Sequence, residues 1–277
     1  MEEARPVGGG LWQPAAAAGW RGAHRLWAFL REELLTWLFP WPPYCLGCGV
    51  ALPHGLRDEP ALCDACGVRL AHGPGGRCPT CDRPAWLADA EGPCSQCRNL
   101  GPPWVAVRAV ATYEGLMRRL ILRMKYGDEP YVAELLGRRM AARADDWPRD
   151  LVVVPVPMHP ERLRQRGYNQ AALLARAVAR ASSRPLAEGL LVRAEAGGAQ
   201  AALGAAGRRA NVAGAFAPAR GARRRGLAGR PVLVVDDVLT TGRTLAAVCA
   251  ALRAAGAGPV YGLTAAVTPL APGRHHS

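Results

Sequence analysis

The stretch Val232–Leu245, VLVVDDVLTTGRTL, places two adjacent carboxylates after an apolar run and follows them with three threonines, a glycine and an arginine. The apolar run reads as a buried strand ending at Val235. That puts Asp236 and Asp237 at its carboxyl end, the edge at which open α/β sheets bind ligands. The following helix is predicted to begin near Arg243. Backbone N–H groups at such a helix start, with its dipole and the hydroxyls of Thr240, Thr241 and Thr244, form a cradle for a phosphate. Gly242 lets the chain come close to the anion with no Cβ in the way. Two carboxylates beside a phosphate would repel it, so they must meet something else. Sugar hydroxyls and Mg2+ both fit.

The second chemical constellation is sulfur. Of the 9 cysteines, all but Cys249 fall into CxxC pairs: Cys45/Cys48, Cys63/Cys66, Cys78/Cys81 and Cys94/Cys97. A CxxC turn aims two thiolates at one tetrahedral ion, and a second CxxC completes the shell. Four pairs make two all-cysteine sites. The simplest pairing is sequential, Cys45, Cys48, Cys63 and Cys66 for one ion and Cys78, Cys81, Cys94 and Cys97 for the other; an interleaved pairing is the alternative. With every ligand supplied by protein, the two zinc ions are structural. A segment this poor in apolar residues lacks a core of its own, and metal binding, worth on the order of 10–16 kcal/mol per structural zinc, can drive its folding. Cys249 sits inside an apolar helical stretch and reads as core.

An acidic pair after VLVV also occurs near the start of phosphorelay receiver domains. Too little chain follows Asp237 for the rest of such a domain, which needs ~100 residues. That reading fails.

Charge supports an anionic ligand. The chain carries 35 Lys+Arg against 22 Asp+Glu, a net +13 over 277 residues, and Lys125 is the only lysine. Arginine's planar fork suits phosphate, although an arginine-rich coding bias also explains part of the excess. Arg162, Arg164 and Arg166 crowd one predicted loop at a strand's carboxyl end, with Arg166 favoured because it adjoins Gly167 at a predicted helix start. Lys125, at the end of a basic amphipathic helix, can converge on the same place. Tyr168 could stack on a base or pack at the helix start, and His159 is a weak candidate for a general base.

These residues need elements to hold them. Residues 1–23, rich in Gly, Ala and Pro, read as a disordered extension. Residues 24–43 read as an amphipathic helix with an apolar stripe, stopped by the prolines of PWPP. Glu32 and Glu33 favour packing against protein over a membrane surface. Residues 44–100 form the cysteine module. From residue 104 to about 270, strands such as VAVRAVATY and LVVVPVP alternate with helices such as EGLMRRLILRMKYG and GYNQAALLARAVARASS. Alternation of this kind implies a parallel sheet flanked by helices. No window of ~20 uncharged apolar residues occurs, and the first residues lack a signal-peptide layout, so a cytoplasmic location is expected.

At this point VLVVDDVLTTGRTL resembles the phosphoribosyl-pyrophosphate (PRPP) signature of type I phosphoribosyltransferases. PVPMHPERLRQRGYNQA, QAALGAAGRRANVAGAF and the opening LFPWPPYCLGC resemble the ComF (GntX-like) family over roughly residues 34–268. The resemblance implies a double zinc ribbon joined to a type I phosphoribosyltransferase-like α/β domain. It implies that Asp236 and Asp237 hold the ribose hydroxyls, with Mg2+ accompanying PRPP. By the same resemblance Thr240, Thr241, Gly242 and Thr244 take the 5′-phosphate; Arg243, Arg166 and Lys125 complete the expected PRPP-binding set, the last two from the charge argument for pyrophosphate. Gln200, Leu203, Arg208 and Asn211 match a mobile loop that closes over the site. It also implies a link to DNA uptake, with single-stranded DNA and DNA-uptake proteins as partners. Two functions follow: a phosphoribosyltransferase of unidentified acceptor, or a single-stranded-DNA-handling protein whose PRPP site is regulatory or vestigial and catalyses no transfer. The zinc ribbons and the net charge suit the second, whereas aromatics, at 6% of the chain, offer little stacking platform.

Overall fold

The central strands are β-branched runs with few polar interruptions: β1 (Val107–Thr112), β2 (Val152–Pro155), β5 (Val232–Leu239) and β6 (Val260–Val267). They pair in parallel in the order β1-β6-β5-β2. Both faces of such a sheet must be covered, which is why these runs are nearly continuous in apolar residues. A computed structural model describes residues 42–52, 61–70, 76–84, 92–127, 129–193, 215–219 and 227–269. The expected N-terminal extension and amphipathic helix, and the expected loop residues Gln200, Leu203, Arg208 and Asn211, lie outside the described residues. All described residues belong to one compact unit.

Helices α3 (Gly115–Tyr126), α4 (Tyr131–Ala142) and α6 (Gln170–Ser182) cover one face of the sheet, and α7 (Arg243–Ala254) the other. In α3 the buried residues Leu116, Met117, Leu120, Ile121 and Met124 fall at helical spacing, which leaves the arginines outward. Asn169 caps α6, its Oδ1 accepting from the Ala171 N–H at 3.0 Å. Between β2 and α6 lies a short helix, α5 (Pro160–Arg166). The sequence suggested a loop there. Pro160 at the first position and His159 as cap, its Nδ1 accepting from Glu161 N at 3.3 Å, start a turn of helix that apolar periodicity does not mark. Two short strands, β3 (Leu191–Arg193) and β4 (Phe216–Pro218), pair antiparallel beside α7.

The cysteine segment repeats one design. A turn bearing the first CxxC is closed by an antiparallel bridge, Tyr44 to Ala51 in one half and Arg77 to Pro84 in the other. A short helix then starts one residue after the third cysteine: α1 (Asp64–Leu70) after Cys63 and α2 (Ser95–Leu100) after Cys94. The halves enter opposite cores. Cys45, Leu46, Cys66 and Leu70 pack with α3 and α4, whereas Cys78, Cys81, Cys94 and Cys97 pack on the face that α7 covers.

The second half also closes the sheet's edge. Val107 N donates to Thr80 O at 3.0 Å, and Ala109 N donates to Asp82 Oδ2 at 2.7 Å. From the end of α4, Arg143 Nε donates to Ala109 O at 3.1 Å. Exposed edge strands are templates for unwanted pairing, and here side chains and loop carbonyls take those groups.

Candidate functional site

The strand that carries the acids does not stop at Val235. β5 runs on to Leu239, with Asp236 opposite Thr264 and Val238 opposite Ala266 on β6. The expected boundary was four residues short because polar residues seldom sit in a central strand. What ends at Val235 is the pairing with β2, whose last partner is Pro155. Beyond that point β5 has β6 on one side and open space on the other. The acids therefore occupy the lip where the sheet gives way to a cleft.

Adjacent strand residues point to opposite faces. Asp237 lies on the α3 side and forms an ion pair with Lys125 Nζ, both side chains being mostly buried. Asp236 faces the α7 side with Thr264 and Thr244. Each carboxylate also bonds locally: Asp236 Oδ1 accepts from Asp237 N, and Asp237 Oδ1 from Val238 N, each at 2.8 Å. Burial, and then the charge of Asp237, pushes the Asp236 carboxyl well above the usual carboxylate range.

Asp236, Asp237, Thr240, Thr244, Lys125 and Arg166 line one cavity of about 260 Å³. The same cavity is lined by Arg162 of α5, by His159 that caps this helix, and by Arg193 at the end of β3. Arg166 donates to Gln170 Oε1 at 2.6 Å and stacks over the Tyr126 ring at 5.0 Å. Arg164 is exposed and does not line it. Tyr168 is half-buried and its hydroxyl donates to Met124 O, pinning the end of α3 that presents Lys125. Asn169 Nδ2 donates to Val156 O at 3.0 Å and so fixes the loop after β2. Arg193 and Tyr126 carry no sequence signal for the site. Arg193 belongs to a strand of three residues and Tyr126 to a helix end.

Past β5, Thr240, Thr241 and Gly242 turn the chain into α7. Gly242 holds φ at +81°, and a Cβ there would meet Trp104 Cη2 at 2.9 Å, so both conformation and space require glycine. The first amides of α7 have no carbonyl four residues back, which leaves donors at the loop. Thr240, Thr241, Arg243 and Thr244 are exposed. Thr241, Gly242 and Arg243 line a second cavity of about 360 Å³, shared with Arg83, Gln96 and Trp104 of the cysteine segment and its exit. The loop thus has one side toward the acids and one toward the cysteines.

The cysteine sulfurs assemble in the sequential arrangement, all four of each set within 4.8 Å of one another. Cys48 and Cys63 Sγ lie 3.7 Å apart, as do Cys81 and Cys94 Sγ. A disulfide needs about 2.05 Å. The edge of a tetrahedron with Zn–S bonds of about 2.3 Å is about 3.8 Å, so both shells have the shape and donor set for zinc. Burial raises the thiols, but backbone N–H donors from Cys63, Cys48 and Gly47 outweigh it at Cys45 and bring that thiol down to about 6. At Cys78 the N–H groups of Cys94, Cys81 and Thr80 overcome burial and bring it to about 7. The first set leaves Cys48 exposed; the second is wholly buried. Cys249 is buried in α7 and belongs to the core.

Residues 174–266 match the model of the phosphoribosyl transferase domain family. The sheet, its covering helices and the loop after β5 are those of that class of domain. Over 189 residues, 66% of this chain and 80% of the relative, the chain is 30% identical to the DNA utilization protein YhgH of Escherichia coli K12. It is 31% identical over 169 residues, 59% of this chain and 73% of the relative, to competence protein F of Haemophilus influenzae. Glutamine PRPP amidotransferase from B. subtilis, a solved structure, matches at 23% identity and a TM-score of 0.36, over 51% of this chain and 30% of that one. The chain belongs to the ComF family, which includes competence protein F and YhgH.

Proposed function

We propose that this chain binds PRPP with Mg2+ and acts as a phosphoribosyltransferase-like protein of the ComF type, with two structural zinc ribbons, in the handling of incoming DNA. The observation that carries the reading is convergence. Two acids, two threonines and four cationic side chains from five separate segments line one cavity of about 260 Å³. Asp236 and Asp237 accept hydrogen bonds from the ribose hydroxyls. The amides and hydroxyls of Thr240–Thr244 take the 5′-phosphate. Lys125, Arg162, Arg166 and Arg193 face the pyrophosphate, whose oxygens suit forked arginines. Asp236 and Asp237 are the residues that would stand beside a Mg2+ accompanying PRPP, and the ion would supply charge neutralisation there. The remaining task is positioning and electrostatics, which needs no nucleophilic side chain. Labelled PRPP and Mg2+, incubated with the protein and a panel of bases and oligonucleotides, test transfer through released pyrophosphate.

A second reading has its own support. The net charge of +13 and the relatives named for DNA utilization and competence favour binding of single-stranded DNA, with the PRPP site regulating it. Such binding weakens steeply with salt. A gel shift that stays negative at low salt removes this reading.

A further inference from the structure

The second cysteine shell touches the phosphate loop at three successive residues. Arg83, two residues beyond Cys81, is 3% exposed. Its Nη1 lies 3.6 Å from Cys81 Sγ, its Nε donates to Thr268 O at 3.0 Å, and its Nη2 donates to Thr240 O. Gln96, between Cys94 and Cys97, donates from Nε2 to Thr241 O at 3.4 Å. Trp104 fills the space over Gly242 and is held by its Nε1 donating to Thr80 O at 3.0 Å.

We infer that Arg83, helped by Gln96 and Trp104, is a positioning residue for the phosphate loop, and that the Cys78–Cys97 shell is the rigid mount from which it acts. The inference rests on the proposed PRPP reading, since it assigns Thr240–Thr244 to the 5′-phosphate. The physical case is one of preorganisation. A loop that offers backbone amides to an anion binds well only if those amides already point at one spot; ordering them during binding costs affinity. α7 has no side-chain cap, and its N-cap glycine is the residue with the most conformational freedom to lose. The local contacts of that turn are long: Thr241 Oγ1 accepts from Arg243 N at 3.4 Å, and Thr268 Oγ1 donates to Thr240 O at 3.5 Å. The charged donor comes from outside the α/β fold: a buried guanidinium that spans the sulfur shell, Thr240 O and the end of β6. An arginine buried this far is placed by its partners, and here its partners are the shell and the loop. The other end of the site, where Lys125, Arg162 and Arg166 sit, has no contact with this shell among the described residues. Loss of the brace should therefore be felt by the 5′-phosphate and not by pyrophosphate.

The test uses the full-length Arg83→Met protein, checked for two zinc ions per chain, with ribose 5-phosphate and pyrophosphate titrated separately by calorimetry. Amide exchange of the peptide spanning residues 239–246 is followed in parallel. The expected result is a loss of about tenfold or more in affinity for ribose 5-phosphate, as for removal of a charge-assisted contact, with pyrophosphate affinity unchanged. Faster exchange confined to that peptide accompanies it. Unchanged ribose 5-phosphate affinity, or an equal loss for both ligands, overturns the inference. If Arg83→Met does not fold, the doubly substituted Gln96→Ala, Trp104→Leu protein takes its place, with the same selective loss expected and the same contrary results. If the unmodified protein binds neither ligand, the PRPP reading fails. Exchange then decides the brace alone, and an unchanged rate in the variant refutes it.

Discussion

Lys125, the single lysine of the chain, is ion-paired with Asp237 across the gap between α3 and the free side of β5. The pair sits where a sugar and a pyrophosphate would meet. Under the proposed PRPP reading each partner has a ligand of its own, and the pair would separate when PRPP enters. Breaking a mostly buried pair by removing one partner leaves an uncompensated charge. Lys125→Met is expected to lower stability to urea by about 3 kcal/mol, whereas the Lys125→Met, Asp237→Asn pair costs less than the sum of the single changes. Additive effects in that cycle would contradict the coupling.

Asp236 gives the site a pH dependence. Its carboxyl is raised by burial and by Asp237, so the ionised form is the penalised one. Its contribution to stability is fully present below the ordinary carboxylate pKa of about 4 and is lost as pH rises through the raised folded value. Ribose hydroxyls and Mg2+ favour the ionised form. Binding of PRPP with Mg2+ is then expected to release a proton, and affinity to rise with pH. Calorimetry in buffers of different ionisation enthalpy reads the proton directly; uptake of a proton would have the sign wrong.

The two sulfur shells should differ in lability. Cys48 is exposed, while every cysteine of the second shell is buried. Native mass spectrometry is expected to find two zinc ions per chain, and a chelator to remove them in two phases. Cys48→Ser should abolish the faster phase and leave the slower one. A single phase for both ions would mean that exposure does not control release.

Helix propensity alone would make Gly137→Ala stabilising. Gly137 sits where α4 crosses α6, and a Cβ there would come within 2.3 Å of Ala177 Cβ. Ala177 has no side chain to swing away and the nearby contacts are backbone, so overpacking wins. The expected cost is about 1–3 kcal/mol, read from urea unfolding. A gain in stability would show that the crossing is looser than its geometry.

The sequence disclosed the parts whose signal is local. CxxC spacing predicts the two sulfur clusters because ion geometry is written into four adjacent residues, and the apolar runs mark β2, β5 and β6. DDVLTTG located the acids and the loop for the same reason. Arg83 was not legible: one arginine among many, it matters because folding carries it to Thr240, 157 residues away in the chain. Arg193 and Tyr126 escaped likewise. A helix as short as α5, with no buried residue, has no periodicity to read, so sequence alone places Arg162 and Arg166 on a loop. For Tyr168 the sequence leaves stacking and packing open, and only the fold shows its hydroxyl on Met124 O. Side-chain roles set by long-range partners need the fold.

The PRPP site is tested most directly by calorimetric titration of PRPP with Mg2+ into the unmodified protein and into the Asp236→Asn, Asp237→Asn protein, both shown to carry two zinc ions. Saturable 1:1 binding by the first and its loss in the second is the predicted result; equal affinity in the two proteins would contradict the assignment of the acids to the ribose.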